Sequence, residues 1–239
     1  MAESGVYPGL SDHFVPCRKN GMLKLSHETL NDRAYAALRQ GLISGTFNPG
    51  QTLVIRKLAD LYGISTTPIR EALQRLVAER ALEMKDNRSI IVPLLSDAAF
   101  DELTDLRIAV EGPAGERAAS RMPAAGLAEI QVLLSGMDRA VRASDPASYL
   151  AMNEAFHFAI YNHAKAPIVL NIIQDLWGRV GPYLNLLMQS DAYVPQSNVA
   201  HRKIVAALEQ GNGLAVRTFI EEDIRVAAVV LSAKLKYMV

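Results

Sequence analysis

Two hydroxyls and a guanidinium stand close together at Thr66, Thr67 and Arg70. Such groups at the start of a helix suit one kind of chemistry: hydrogen bonding to phosphate oxygens and to base edges in a nucleic-acid groove. Arg70 is the first candidate for a base contact, with two parallel hydrogen bonds to guanine as its strongest form. Arg56 lies just upstream. Lys85 and Arg88 lie downstream, where they either reach phosphate or the minor groove or sit on a solvated hairpin.

The neighbouring residues predict elements that would hold these groups in place. Leu58, Ala59, Leu61 and Tyr62 form the apolar face of a short helix, and Gly63 ends it, because glycine takes positive φ without steric cost. Ile64 fills the turn. Ser65 or Thr66 caps the next helix, and Pro68 fits its first turn, where no N–H is required. Ile69, Leu73, Leu76 and Val77 recur at helical spacing as its buried face. Thr66, Thr67, Arg70, Gln74 and Arg75 fall on the opposite side. A hairpin-like run follows from Leu82 to Val92, with Asp86-Asn87 suited to its tip. Upstream, Leu30, Ala34, Ala37, Leu38 and Leu42 share one face of a helix over about 28–44, closed by Gly45 and followed by an Asn48-Pro-Gly50 turn. These elements read as a winged helix-turn-helix over residues 27–92.

The chain has 239 residues, half of them hydrophobic, which suffices for two modest domains. No apolar run approaches the roughly 18 residues that span a bilayer, and Met1 to Asn20 lacks the apolar core of a signal peptide. The single cysteine, Cys17, allows no internal disulfide; it suits a reducing cytoplasm and is read as an inert thiol. Formal net charge is zero, but residues 1–95 carry 12 Lys and Arg against 9 Asp and Glu, while residues 96–239 carry 13 against 16. A basic reader joined to an acidic partner domain fits that mild asymmetry.

Residues 1–26 show no periodicity and read as a loose tail. Residues 93–96 read as a linker, with Pro93 interrupting pairing and Ser96-Asp97 offering a helix cap. Six helices are predicted beyond it, at about 97–121, 124–143, 146–163, 168–190, 196–210 and 213–236. Met122-Pro123, Asp145-Pro146, Ala166-Pro167, Val194-Pro195 and Gly211-Asn-Gly213 mark their breaks. The expected fold is therefore mostly α, a winged helix-turn-helix followed by an antiparallel helical bundle over 97–239.

The run Ala37-Leu-Arg-Gln-Gly-Leu-Ile-Ser-Gly-Thr-Phe-Asn-Pro-Gly-Gln-Thr-Leu53, with Leu58-Ala59, Gly63-Ile-Ser65 and Thr67-Pro-Ile-Arg-Glu-Ala-Leu73, resembles the DNA-binding domain of GntR-family bacterial transcription regulators. This chain departs from the family pattern at Thr66, where the family often has Arg. It also departs near Arg80 and Ser89, where the family usually has Gly. The helical second half resembles the FCD effector domain of the FadR-like subfamily, and its helix count leans toward the VanR-type branch. Leu103-Thr-Asp-Leu-Arg107 through Glu111, Asn153-Glu-Ala-Phe-His157 and His201-Arg-Lys-Ile-Val-Ala-Ala-Leu208 carry that likeness.

Many FCD domains hold a metal through one Asp and three His. Carried over by position, that implies Asn153, His157, His201 and Asp223, with Asn153 replacing Asp and Asp223 replacing His. Asn153 and His157 are one helical turn apart and project from one face. Two imidazoles, a carboxylate and an amide can hold zinc, nickel or manganese, and no organic cofactor is implied. If no metal binds, the same residues line a polar cavity.

The family's small-carboxylate effectors point to Arg107 and Arg179 as clamps, although Glu111 offers Arg107 a structural partner one turn away and a surface position is the alternative for Arg179. Trp177, Tyr183 and Met188 shape the pocket wall or fill core. The expected protein is a homodimeric, ligand-responsive repressor in the bacterial cytoplasm, associated with the nucleoid when bound to a near-palindromic double-stranded operator. Its expected DNA contacts are Arg56, Thr66, Thr67, Arg70 and Arg88. The alternatives are a regulator whose effector is the ion itself, a dimeriser with a vestigial pocket, or a helical metalloenzyme in which His157, His201 and Asp223 activate water. No membrane partner and no catalytic residue are expected.

Overall fold

The computed structural model describes residues 29–86, 88–189 and 198–236. The tail expected over 1–26 and the Asn87 hairpin tip lie outside them.

Thr29 starts the first helix, α1 (Leu30–Ile43): its hydroxyl accepts from the Asp32 N–H at 3.1 Å while the Asp32 carboxylate accepts from the Thr29 N–H at 3.2 Å. This reciprocal cap satisfies two otherwise unpaired donors. Helix α2 (Ile55–Tyr62) ends at Gly63, whose φ of 65° makes the tight turn into α3 (Thr66–Ala78). Ser65 takes the cap position of α3, though its hydroxyl makes no capping bond. Strand β1 (Glu83–Met84) pairs antiparallel with β2 (Ile90–Ile91), and Thr52 bridges to Ile91 as a third rung. Leu38, Leu42, Phe47, Leu53, Ile69, Leu73 and Leu76 make the core of this head. Its backbone turns left-handed at Arg80 (φ 59°) and Arg88 (φ 65°), which favours glycine. The two wing departures noted above thus put arginines at or next to backbone positions a glycine would occupy without strain.

Among the described residues six α-helices follow: α4 (Asp97–Ala119), α5 (Ala124–Arg142), α6 (Pro146–His163), α7 (Pro167–Leu184), α8 (Val199–Glu209) and α9 (Gly213–Leu235). Proline opens α6 and α7, where its missing N–H costs nothing. Helices α4 and α9 lie closely packed because Gly115 has no Cβ to meet Ile220. One expectation needs correcting. The helix anticipated over 168–190 stops at Leu184, where the Leu186 N–H turns back to the Tyr183 carbonyl and a 3-10 turn covers Leu187–Gln189.

Helix α7 has two packing partners. One face builds the bundle core with Ile173, Leu176, Trp177 and Val180. Another meets α1 so tightly that a Cβ on Gly181 would collide with the carbonyls of Leu42 and Ile43. Arg39 of α1 reaches Gln174 at 3.0 Å and Asp175 at 2.5 Å. The Asn185 amide donates to the Gly45 carbonyl. The Tyr183 hydroxyl donates to the Pro93 carbonyl at 2.9 Å and accepts from the Leu95 N–H at 2.8 Å, pinning the linker.

Candidate functional site

On the head, Thr66, Thr67, Arg70 and Gln74 lie exposed along the outer face of α3, and Arg56 is exposed in the first turn of α2. Arg56 and Arg70 have no ion pair or side-chain hydrogen bond among the described residues, so both guanidiniums are free to meet an outside anion. Arg88 is exposed on the wing, while Lys85 is paired with Glu83 at 2.9 Å. Arg75 folds back: its guanidinium carbon lies 3.7 Å from the Tyr35 ring centroid, and Nε bonds Glu79 at 3.0 Å. It braces α3 against α1, whereas the helical wheel alone placed it on the reading face.

The second site lies inside the bundle. His157 of α6, His201 of α8 and Asp223 of α9 bring their ligand atoms within 4.8 Å of one another. The two Nε2 atoms are 3.2 Å apart. Asp223 lies 3.4 Å from His157 Nε2 and 3.5 Å from His201 Nε2. Both imidazoles are buried and pack edge-on against Phe156. Burial pushes the His201 imidazolium down to about 4, so the ring is neutral near pH 7 and offers a lone pair. Burial alone would raise the Asp223 carboxyl, but His201, His157 and Arg107 outweigh it and hold the group below its ordinary value. Two imidazoles and a carboxylate converging on one point are a chemically suitable donor set for a divalent metal. Asn153, half-buried one turn before His157, makes no hydrogen bond to any of the three.

Each imidazole is backed by a polar chain. His157 Nδ1 lies 3.3 Å from the Tyr161 hydroxyl, which donates to Glu111 at 2.7 Å. Glu111, fully buried, also accepts from Trp177 Nε1 at 2.9 Å and from Arg107 Nε at 2.7 Å. Burial, then the Glu111 carboxylate, push the Tyr161 hydroxyl well above its ordinary range, so it stays protonated. His201 Nδ1 lies 3.2 Å from Asn198 Oδ1, and the Asn198 amide donates to Asp138 at 2.7 Å. Arg202 pairs with the same Asp138 oxygen at 2.9 Å.

Arg107 is only 6% exposed, with its guanidinium carbon 5.3 Å from the Trp177 ring centroid. Its two Nη groups have no hydrogen-bond partner among the described residues. Arg179 is a correction. It does not face the bundle interior; it is exposed on α7, where Nη2 donates to the Glu79 carbonyl at the end of α3, 3.3 Å away. Tyr161, Asn198 and Asp138 were missed from the sequence. Tyr161 was within reach, being one turn beyond His157, and so was Asn198, three residues before His201. Asp138 gives no local signal.

A winged helix-turn-helix with free cations on its reading face, joined to a helical bundle with a buried polar site, is the architecture of a two-domain DNA-binding regulator. Residues 30–92 match the model for bacterial regulatory proteins of the gntR family, and residues 102–225 match that for the FCD domain. Over 170 residues the chain is 33% identical to the HTH-type transcriptional regulator McbR of Escherichia coli K12, covering 71% of this chain and 77% of that protein. It is 24% identical over 166 residues to the gluconate operon transcriptional repressor of Bacillus licheniformis, covering 70% and 68%. The solved structure of E. coli McbR/YncC superposes with a TM-score of 0.80 at 29% identity, covering 86% of this chain and 98% of that one. The chain belongs to the GntR family of bacterial transcriptional regulators and carries an FCD domain. It is an operator-binding regulator, not an enzyme. Among the described residues no helix is long and apolar enough to cross a membrane.

Proposed function

We propose that this regulator is a homodimeric repressor that senses a small organic acid in its bundle, with a divalent metal (zinc, nickel or manganese) held by His157, His201 and Asp223. The observation that carries this reading is the convergence of two imidazoles and a carboxylate from three helices. A metal held there supplies a positive anchor for a carboxylate. Arg107 supplies the second anchor, because its Nη groups have no hydrogen-bond partner among the described residues and a guanidinium binds carboxylate in a fork. Asn153, one turn before His157, would supply a weaker oxygen ligand. Repression is supported by the name of the Bacillus relative.

Helix α7 is the mechanical link. Trp177 touches the site, with its ring centroid 5.5 Å from that of His157, while Gly181 of the same helix packs on α1, Asn185 just past its end holds Gly45, and Tyr183 holds the linker. An effector that binds one setting of α7 better than the other shifts the population of head positions, and with it operator affinity. Operator binding followed by fluorescence anisotropy, with small mono- and dicarboxylates added to zinc-loaded protein, tests the proposal. Release from DNA by a carboxylate, lost in Arg107→Met, is expected. Release by zinc alone would make the ion itself the effector. Release by neither would overturn the organic-acid reading.

A further inference from the structure

The chains behind the two imidazoles share one logic. Each runs from an arginine to a carboxylate, then to a neutral side chain that both donates and accepts, then to a histidine Nδ1: Arg107, Glu111, Tyr161 and His157 on one side, Arg202, Asp138, Asn198 and His201 on the other. An ionised carboxylate can only accept. Tyr161 therefore directs its single proton to Glu111, and Asn198 directs its amide N–H to Asp138. Each then presents only an oxygen lone pair to the imidazole behind it.

We propose that Tyr161 and Asn198 are positioning residues that lock His157 and His201 as Nδ1–H tautomers, turning both Nε2 lone pairs toward Asp223. A neutral ring that donates from Nδ1 must accept at Nε2. The 3.2 Å approach of the two Nε2 atoms is then an approach of two acceptors beside a carboxylate, an arrangement that a cation completes. Without Asn198, His201 gains by moving its proton to Nε2 and donating to Asp223, which blocks the atom a metal needs. Without the Tyr161 hydroxyl, His157 does the same. The value of this arrangement to metal binding rests on the metal reading above; the tautomers themselves do not.

The test uses full-length protein stripped with EDTA and labelled with 15N. Long-range 1H–15N spectra assign the protonated nitrogen of each histidine. Both rings are expected as Nδ1–H in the wild type. Asn198→Ala is expected to move His201 alone to Nε2–H, and Tyr161→Phe to move His157 alone. The Asn198 side chain makes no capping bond to α8, and Tyr161→Phe keeps the ring, so both variants are expected to fold; circular dichroism checks that. In parallel, zinc affinity measured by competition with a fluorescent chelator is expected to fall about 10–100-fold in each variant. Nε2–H tautomers in the wild type, or tautomers unmoved by both substitutions, would overturn the inference whatever the metal result. Correct tautomers that switch as expected, in a wild type that takes up no zinc, would uphold the positioning role while removing the metal reading.

Discussion

The reading face of the head and the buried site of the bundle handle charge in opposite ways. On the head, Arg56 and Arg70 are exposed and unpartnered among the described residues, ready for an anion that brings its own charge and shape. In the bundle, Arg107, Glu111, Tyr161, Trp177 and His157 are buried and interlocked. A DNA backbone rewards exposed cations through its phosphates, wherever the side chains settle. A small ligand instead needs groups already fixed, because each unpaired polar group kept from water costs free energy. The contrast predicts that single substitutions in the bundle act mainly on stability, and those on the head mainly on binding.

The largest effect is expected at Glu111. Glu111→Ala strands the Arg107 cation and removes the acceptor of Tyr161 and Trp177, so it should cost about 3–5 kcal/mol of stability in chemical denaturation. A loss below ~1 kcal/mol would show that the network is not holding the bundle. Gly181→Ala comes next. Its Cβ meets the backbone of α1 rather than a flexible side chain, so the α1–α7 contact must open. A stability loss of about 1–3 kcal/mol is expected, with an effector response weakened at the same time. An unchanged response would take α7 out of the signal route.

Arg70→Ala reverses the pattern. It should leave the melting temperature unchanged while weakening operator binding by about 1–3 kcal/mol and relaxing one operator position in a sequence-selection assay. Equal weakening on every sequence would make Arg70 a phosphate contact instead. The smallest effect has the opposite sign. Arg80→Gly removes a left-handed arginine and should stabilise the head by about 1 kcal/mol, read as a raised denaturation midpoint.

The two regions were also unequally legible in the sequence. The head is built from local signals: Gly63 at the turn, Pro68 in the first turn of α3, and apolar residues at helical spacing. In the bundle, Pro146, Pro167 and Gly211 marked the helix ends because they act on the backbone directly. The pairing of His157 with Tyr161 is a one-turn spacing and could be read. The links from Trp177 to Glu111 and from Asn198 to Asp138 join separate helices, which no periodicity connects. Arg179 was misread for a physical reason. Nine of the twelve residues of α7 from Ile173 to Leu184 are buried, because the bundle covers one side and α1 another. The apolar majority draws the arginine into a reading of the interior, but Arg179 shares an exposed stripe with Asp175 and Asn171, one and two turns before it, at the junction with α3.

Elemental analysis of the purified protein beside a His157→Ala/His201→Ala variant tests the central claim most directly. The account predicts near-stoichiometric zinc, nickel or manganese in the wild type and its loss in the variant. No metal in the wild type, even after reloading with each of the three ions, would contradict it.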